Sequence, residues 1–311
     1  PTDTGEALGS PASNLTLSFG FGPTLFARPD GTDRFGLQRY RPEALADLPA
    51  FAGDRLDPAR SGGDLAVQAC ADDPLVAFHA VHNLVRIARG VATLRWNQTG
   101  FASTSGSGRD QPTPRNLMGN KDGTNNIDPT DTATMADQVW VGDEGPSWMA
   151  GGTYLVARRI RMLLDEWDRS SLDEQHQTIG RFKASGAPLT GQDEHDAADL
   201  DALDPAGRPV ISSRAHIRLA APSTNGGVRI LRRGFSFHDG VDRDGRQDAG
   251  LFFVSFQRDP HHFVTIQQRL AGQDALNTYI RHTSSAVFAC PPGLPDGVSG
   301  GDWLGRALFE A

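Results

Sequence analysis

The chain has 311 residues, a length that accommodates two domains of about 150 residues each. Its 38% hydrophobic and 22% charged residues are typical of a folded globular protein. The net charge of −8 and the lack of a long basic run argue against nucleic acid and anionic membranes as partners. The sequence contains no run of about 18 apolar residues, so we expect no membrane insertion.

The first part of the chain predicts a strand, a helix and a second strand. Large apolar residues alternate with small or polar ones at 14–21, which indicates a half-buried strand. A helix is predicted from Asp73 as N-cap and Pro74 at the first helical position, and it ends at Gly90. A strand is predicted at 91–96.

The second part of the chain mixes strands and helices without the strict alternation of a parallel sheet, which favours an α+β fold. Its predicted elements are a strand at 153–164, a helix from the capping box of Ser171 and Glu174 to Phe182, strands at 251–257 and 263–268 joined by a turn at Asp259-Pro260, a helix at 274–282 and a strand at 286–289. We expect an N-terminal domain at 1–130 and a C-terminal domain at 131–311.

The sequence begins at Pro1 without an initiator Met, which we interpret as the result of processing that removed an export signal. The two cysteines, Cys70 and Cys290, do not have the spacing of a metal site. A disulfide is compatible with this count, but two buried free thiols are the simpler prediction.

A long loop is predicted at 100–131, because this segment is rich in Gly, Ser, Asn, Asp and Thr. Within it, the sequence GNKDGT at 119–124 places the Asp122 carboxylate beside Gly123. Glycine permits a close approach of the backbone to a flat ligand, and a carboxylate there could transfer a proton as a general acid–base. The alternative interpretation is an ordinary Asp-Gly turn.

A histidine and an arginine follow in apolar surroundings. His216 could bind a haem iron axially, or it could be a buried structural histidine that is hydrogen-bonded to the backbone. Arg232 lies 16 residues after it, and its permanent charge could stabilise negative charge that develops on a departing oxygen. The alternative for Arg232 is a solvated surface position.

These segments, taken together, resemble the dye-decolourising peroxidases, a family of haem peroxidases. GNKDGT resembles the glycine–aspartate signature of the family, AHIR at 215–218 resembles its proximal-histidine segment, and LRRGFSF at 231–237 resembles its distal-arginine segment. Further similarity lies at 18–22, 250–259 and 279–282, so the resemblance runs over nearly the whole chain. Gly234 occupies a position where one subgroup of the family has Asn, which favours the exported A-type subgroup and a secreted, Tat-exported protein.

The resemblance implies a fold and a cofactor. The fold would contain two ferredoxin-like domains with antiparallel sheets, and one haem b per chain would be held mainly by the C-terminal domain. His216 would be the proximal iron ligand, and Asp122 and Arg232 would be the catalytic residues on the distal side. The further cofactor-binding residues that the resemblance suggests are Lys121, Gly123, Ser223, Leu251, Phe253 and Asp274. Among these, Leu251 and Phe253 would line the distal pocket, and Asp274 would accept a hydrogen bond from His216 or cap a helix.

The resemblance implies a peroxidase that reduces hydrogen peroxide and oxidises dyes, phenols or similar bulky donors through an oxoferryl intermediate. Two alternatives are a deferrochelatase-like removal of iron from haem and a non-catalytic haem-binding protein. A third is an α+β binding domain without a cofactor. The sequence does not select among the aromatic residues that could pass electrons to the surface, which are Trp140, Trp148, Trp167, Trp303, Tyr154 and Tyr279.

Overall fold

The computed structural model describes residues 4–102, 112–294, 297 and 302–310. The strands of this part of the chain are β1 (Thr16–Phe21), β2 (Leu65–Cys70), β3 (Thr153–Met162), β4 (Leu231–Arg232), β5 (Phe235–Val241), β6 (Gln247–Gln257) and β7 (Ile280–Cys290). Its α-helices are α1 (Pro23–Phe26), α2 (Pro74–Ile87), α3 (Thr132–Gln138), α4 (Leu164–Arg169), α5 (Leu172–Ile179), α6 (His216–Leu219), α7 (Pro260–Gln273) and α8 (Arg306–Phe309). Short 3-10 helices lie at Gln38–Tyr40, Pro58–Arg60, Ser147–Met149, Pro222–Thr224 and Ala275–Thr278. Within these described ranges no helix is long and apolar enough to cross a bilayer.

All seven strands join one antiparallel sheet in the order β2-β1-β7-β3-β6-β4, and β5 also pairs with β6. The central strand β3 pairs along most of its length with both β6 and β7. β1 meets β7 through a single residue pair, Phe21 with Ala289, so the first part of the chain joins the rest of the sheet narrowly. The antiparallel α+β arrangement agrees with the predicted fold class. The predicted domain boundary between 130 and 131 precedes α3 and stays a prediction.

The two faces of β3 bury different side chains, as the two-residue period of a strand requires. Tyr154 and Val156 pack on one face into a core cluster that contains Phe26 and Trp148. Leu155 and Ala157 pack on the opposite face. The strand predicted at 153–164 is therefore confirmed as β3.

Two of the three arginines of β3, Arg158 and Arg159, are buried beside acidic partners that neutralise them. Arg158 is fully buried, and its Nη2 lies 2.5 Å from the Asp54 carboxylate. Arg159 is 3% exposed, and its Nη2 lies 2.8 Å from Asp239 and 2.9 Å from Asp248. A buried guanidinium is tolerated in a strand only with such compensation.

Several other predicted elements are confirmed. The strand predicted at 14–21 is β1, and the helix that begins after Asp73 is α2, where the Asp73 side chain accepts a hydrogen bond from the backbone N–H of Leu75. No residue of α2 is fully buried, and Leu75, Phe78 and Ile87 are exposed, with Phe78 at 60%. The capping box of Ser171 is present, and α5 ends at Ile179 before a left-handed glycine.

Three predicted elements are wrong. The segment at 263–268 lies within α7, and Asp259-Pro260 begins that helix because Asp259 caps the backbone N–H of His261. The segment at 274–282 is a 3-10 turn followed by the start of β7, which also contains the strand predicted at 286–289. The segment at 91–96 forms no strand, since its backbone pairs with no other strand. The side chains of Arg95 and Trp96 instead donate hydrogen bonds to backbone carbonyls of residues 58–62.

Both cysteines are free, as predicted. Cys290 is buried and Cys70 is half-buried. Burial raises the pKa of the Cys290 thiol to about 12, which keeps this thiol protonated and unreactive at neutral pH.

His282 on β7 is buried beside Arg158 and Asp54, with its Nδ1 3.9 Å from the Asp54 carboxylate. Burial, followed by the positive charge of Arg158, lowers the pKa of His282 from 6.5 to about 3. As the pH falls below 6.5, the His282 imidazole takes up a proton in the unfolded chain before it does so in the folded chain. The stability contributed by a neutral His282 is therefore lost progressively between pH 6.5 and pH 3.

We expect His282→Gln to flatten the loss of stability in acid. The wild-type free energy of unfolding should fall more steeply below pH 6.5, by up to about 1.4 kcal/mol per pH unit for this one proton. Urea unfolding at pH 7, 6 and 5 measures the slope, and His238→Gln at an exposed position of β5 is the matched control. Equal slopes for wild type and His282→Gln would contradict the assignment.

Candidate active site

His216 is the first residue of the short helix α6, and its side chain is one-third exposed. Its Nδ1 lies 2.6 Å from Oδ2 of Asp274, a carboxylate that is almost completely buried. Burial opposes protonation of His216, but the charge and hydrogen bond of Asp274 outweigh it and raise the pKa of the imidazole. Because Nδ1 is occupied by Asp274, Nε2 is the nitrogen left for a ligand.

Asp274 has two roles, and the structure supports both alternatives considered for it. Its Oδ1 accepts a hydrogen bond from the backbone N–H of Leu276 and so caps the 3-10 turn Ala275–Thr278. Its Oδ2 faces His216. The cap fixes the carboxylate, and the carboxylate in turn fixes the orientation of the imidazole.

Asp122 and Arg232 form an ion pair, with Nη1 of Arg232 3.1 Å from Oδ1 of Asp122. Each side chain is 30% exposed, so both remain accessible to a small molecule. Arg232 lies on β4 opposite Ser255 of β6. Residues directly opposite each other in a ladder share a sheet face, and alternate residues of one strand do as well. Arg232 therefore shares a face with Phe253.

The structure brings His216 together with this ion pair. The positive charge of Arg232 acts to lower the pKa of His216, and the negative charge of Asp122 acts to raise it. The three side chains therefore interact electrostatically, although they come from separate segments of the chain. The arrangement combines one imidazole that has a free nitrogen with an acid and a permanent cation.

Leu251 and Phe253 lie two residues apart on one face of β6. Leu251 packs into a cluster that contains Met118 and Trp167. Phe253 packs against Phe263 of α7, with ring centroids 5.8 Å apart. Both residues are half-buried, and they supply the apolar part of the face that carries Arg232.

The remaining predicted residues have different surroundings. Lys121 forms an ion pair with Glu194, so its ammonium group already has a partner. Gly123 has a φ of +131°, a conformation that L side chains rarely adopt. Ser223 is exposed in the 3-10 turn that follows α6. Contacts of these three residues with a cofactor stay predictions.

Two residues that sequence reasoning missed hold the Asp122 loop. Glu194 is 12% exposed and accepts hydrogen bonds from Lys121 and Thr124, on either side of Asp122. Burial opposes ionisation of Glu194, but hydrogen bonds led by that from Lys121 outweigh it and lower its pKa. Asn126 bonds to the backbone of Arg232. Asn126 lies next to the recognised motif, whereas no sequence pattern singled out Glu194.

The aromatic residues proposed for electron transfer also have distinct positions. Trp140 and Trp303 are exposed, whereas Trp148 and Tyr154 are buried in the main core. Trp167 is buried, donates a hydrogen bond to the carbonyl of Met118 and packs edge-on against Tyr279 at 5.0 Å.

Fold and site together define an antiparallel α+β protein that combines a carboxylate-bound histidine with an acid–guanidinium pair, the residue set of a haem peroxidase. Comparison with protein families agrees. Residues 1–102 match the family model described as Dyp-type peroxidase, N-terminal, and residues 113–294 match Dyp-type peroxidase, C-terminal. The chain belongs to the DyP-type peroxidase family, and it is an oxidoreductase of that family.

Known relatives are similar over the full length of the chain. A "Dye-decolorizing peroxidase" of Thermobifida fusca (strain YX) is 44% identical over 324 residues, which cover 100% of this chain and 71% of the relative. A "Deferrochelatase" of Escherichia coli (strain K12) is 38% identical over 317 residues, which cover 100% and 72%. The structure of ferric DtpA from Streptomyces lividans has a TM-score of 0.91 and 44% identity, covering 100% of this chain and 82% of that one. This shared fold confirms the predicted ferredoxin-like α+β architecture.

DyP-type peroxidases are haem proteins, and the residues in the cleft fit such a group. His216 offers a single nitrogen, Nε2, because its Nδ1 is held by Asp274. Leu251 and Phe253 offer apolar surface on the face that carries Arg232. An axial imidazole with a hydrogen-bonded carboxylate behind it is a recurrent way to hold a metal.

We expect Asp274→Asn to weaken haem binding by on the order of ten- to a hundredfold, because the charge behind the axial imidazole is lost. The asparagine oxygen can still cap the backbone N–H of Leu276. Titration of the apoprotein with hemin, followed by the Soret band, measures the affinity. Asp259→Asn is the matched control, since Asp259 caps α7 in the same manner. Equal affinities for Asp274→Asn and wild type would be inconsistent with the proposed orientation of His216.

Proposed function

We propose that this protein binds one haem b per chain, reduces hydrogen peroxide and oxidises dyes, phenols or similar bulky donors. The observation that carries the proposal is the 3.1 Å pair of Asp122 and Arg232 near the His216–Asp274 pair. A protein that only carried haem would need His216, but it would have no use for an acid and a guanidinium in the same cleft.

Each residue of the cleft has a chemical task. His216 would hold the haem iron through Nε2, and Asp274 keeps the imidazole oriented and increases its basicity. The bound haem supplies the redox chemistry that cleaves the peroxide. Asp122 accepts a proton from the inner oxygen of the peroxide and returns it to the outer oxygen, which leaves as water. The guanidinium of Arg232 stabilises the negative charge on the departing oxygen.

The surroundings of the ion pair support this division of tasks. Leu251 and Phe253 present hydrocarbon on the sheet face that carries Arg232. Electrostatic stabilisation by Arg232 is stronger where water is excluded. Bulky donors would be oxidised at the protein surface rather than in the cleft.

A second candidate is removal of iron from haem with the porphyrin left intact. The observation that favours it is the 38% identity over the full chain to relatives named "Deferrochelatase". This activity would use the same site and the same His216. Extraction of the reaction mixture distinguishes the two, because only iron removal yields free porphyrin.

We also propose that the protein is secreted through the Tat route, as members of the exported A-type subgroup are. The support is the sequence context of Arg232, where Arg233 and Gly234 follow. Detection of the protein in the extracytoplasmic fraction of its native host tests this proposal, and a purely cytoplasmic location would contradict it.

We expect the purified holoprotein to show a Soret band that changes on addition of one equivalent of hydrogen peroxide. The pyridine haemochrome should identify haem b at one equivalent per chain. A Soret band that does not respond to peroxide would favour the haem-carrier or iron-removal alternatives. Failure of the apoprotein to take up hemin would contradict the proposal as a whole.

We expect Asp122→Ala and Arg232→Ala each to slow the reaction with peroxide by on the order of a hundredfold or more, since each removes one part of proton transfer or charge stabilisation. Stopped-flow measurement of the Soret change against peroxide concentration gives the rate constants. Arg233→Ala is the matched comparison and should react at the wild-type rate, because the exposed side chain of Arg233 is not part of the Asp122–Arg232 pair. Wild-type rates in both distal variants would exclude the proposed mechanism.

A further inference from the structure

The side chain of Asn126 occupies the place of a neighbouring strand beside β4. Its Oδ1 accepts a hydrogen bond from the backbone N–H of Arg232 at 2.9 Å, and its Nδ2 donates one to the carbonyl of Arg232 at 2.8 Å. A paired strand would make the same two hydrogen bonds with a residue of an antiparallel ladder. A primary amide can imitate a peptide group in this way, because it carries both a donor and an acceptor.

This pairing is needed because β4 is only two residues long and lies at the edge of the sheet. On its other side β4 pairs with β6, where Arg232 lies opposite Ser255 and the N–H of Arg233 donates to the carbonyl of Val254. The backbone groups of Arg232 point away from β6, and Asn126 satisfies both of them.

Asn126 is also part of the turn that carries the distal acid. Its own backbone N–H donates to the carbonyl of Gly123 at 2.9 Å, and the N–H of Asp122 donates to the carbonyl of Pro114 at 2.8 Å. A side chain four residues after Asp122 is therefore bonded to the backbone of the residue whose guanidinium meets Asp122. The amide joins two segments that are 106 residues apart in sequence.

The ion pair alone cannot fix the distance between the Asp122 carboxylate and the Arg232 guanidinium. Both side chains are 30% exposed, and pairs of this kind are weak because water and salt compete with them. Arginine has many rotamers, so its head group is placed reliably only when its backbone is fixed. The two hydrogen bonds from Asn126 provide that fixed point.

We propose that Asn126 is a positioning residue that holds the backbone of Arg232 against the Asp122 loop and so sets the separation of the distal acid and guanidinium. The inference rests on the proposed roles of Asp122 and Arg232 in peroxide cleavage. Asn126 touches neither peroxide nor cofactor in this assignment and acts through Arg232.

The two hydrogen bonds between the Asn126 amide and the backbone of Arg232 are called the clamp below. The variant Asn126→Asp tests the clamp with little change in the shape of the side chain. The carboxylate keeps the acceptor for the N–H of Arg232, but it replaces the donor with an oxygen that faces the carbonyl of Arg232. Asn126→Ala removes both bonds without adding charge. The adjacent Asn125 is exposed, so Asn125→Asp provides the same change of charge in the same loop as a matched control.

The first readout is amide hydrogen exchange of the peptide that contains Arg232, measured on apoprotein so that it is independent of catalysis. We expect faster exchange in Asn126→Asp and Asn126→Ala, and wild-type exchange in Asn125→Asp. Unchanged exchange in both Asn126 variants would overturn the clamp whether or not the protein is a peroxidase.

The second readout is a double-mutant cycle on the rate of reaction with peroxide, with haem content checked by the Soret-to-protein absorbance ratio. We expect Asn126→Asp to slow the reaction on the order of ten- to a hundredfold in the wild-type background and to cause no further loss in Arg232→Ala. The proposal would be overturned if Asn126→Asp slowed the reaction by the same factor in the wild-type and Arg232→Ala backgrounds. It would also be overturned if Asn126→Asp did not slow the reaction in the wild-type background. If Arg232→Ala itself reacted with peroxide at the wild-type rate, the proposed function would be refuted. The clamp would then be tested by the hydrogen-exchange measurement alone.

Discussion

The pairing of β6 with its neighbours is the constraint on which the distal side of the site depends. β6 pairs with β3, β4 and β5, so one strand determines the register of three others. Its alternate residues Leu251 and Phe253 face the same side as Arg232, which lies opposite Ser255. A slip of one residue in β4 would turn Arg232 to the opposite face and separate it from Asp122. The register of β4, a strand of two residues, thus determines whether the Arg232 guanidinium lies beside Asp122.

The proximal side of the site, formed by His216 and Asp274, depends on the C-terminal end of α7. Asp274 follows α7 and begins the next 3-10 turn, so its backbone is held from both directions. One carboxylate oxygen is used by that turn, and the other is free to face His216. The proximal side is therefore built from the end of α7 and the following 3-10 turn, whereas the distal side is built from β4, β6 and the Asp122 loop.

Local physical chemistry explains where sequence patterns predicted structure and where they did not. β1, β3 and α2 have clear periodicity or caps, and all three form as predicted. The segment at 263–268 is predicted to be a strand, but it is part of α7. The buried residues Phe263, Ile266 and Gln267 have the spacing of one helix face, and the cap at Asp259 marks the start of that helix. The segment at 274–282 begins with a good cap, but that cap starts only one 3-10 turn, because β7 gains its hydrogen bonds from β3.

The amino-acid sequence by itself determined the identities of the reactive side chains, because Asp122, His216 and Arg232 each lie in a short contiguous motif whose residues can be read without knowing the fold. Only the tertiary structure decided what holds those side chains in place. The resemblance suggests Asp274, 58 residues from His216, either as its partner or as a helix cap, and the structure shows both roles. Glu194 lies 73 residues from Lys121, and Asn126 lies 106 residues from Arg232. Contacts at such separations leave no periodicity or fixed spacing in a single sequence, because they arise from the register of the sheet and the path of the loops that it supports.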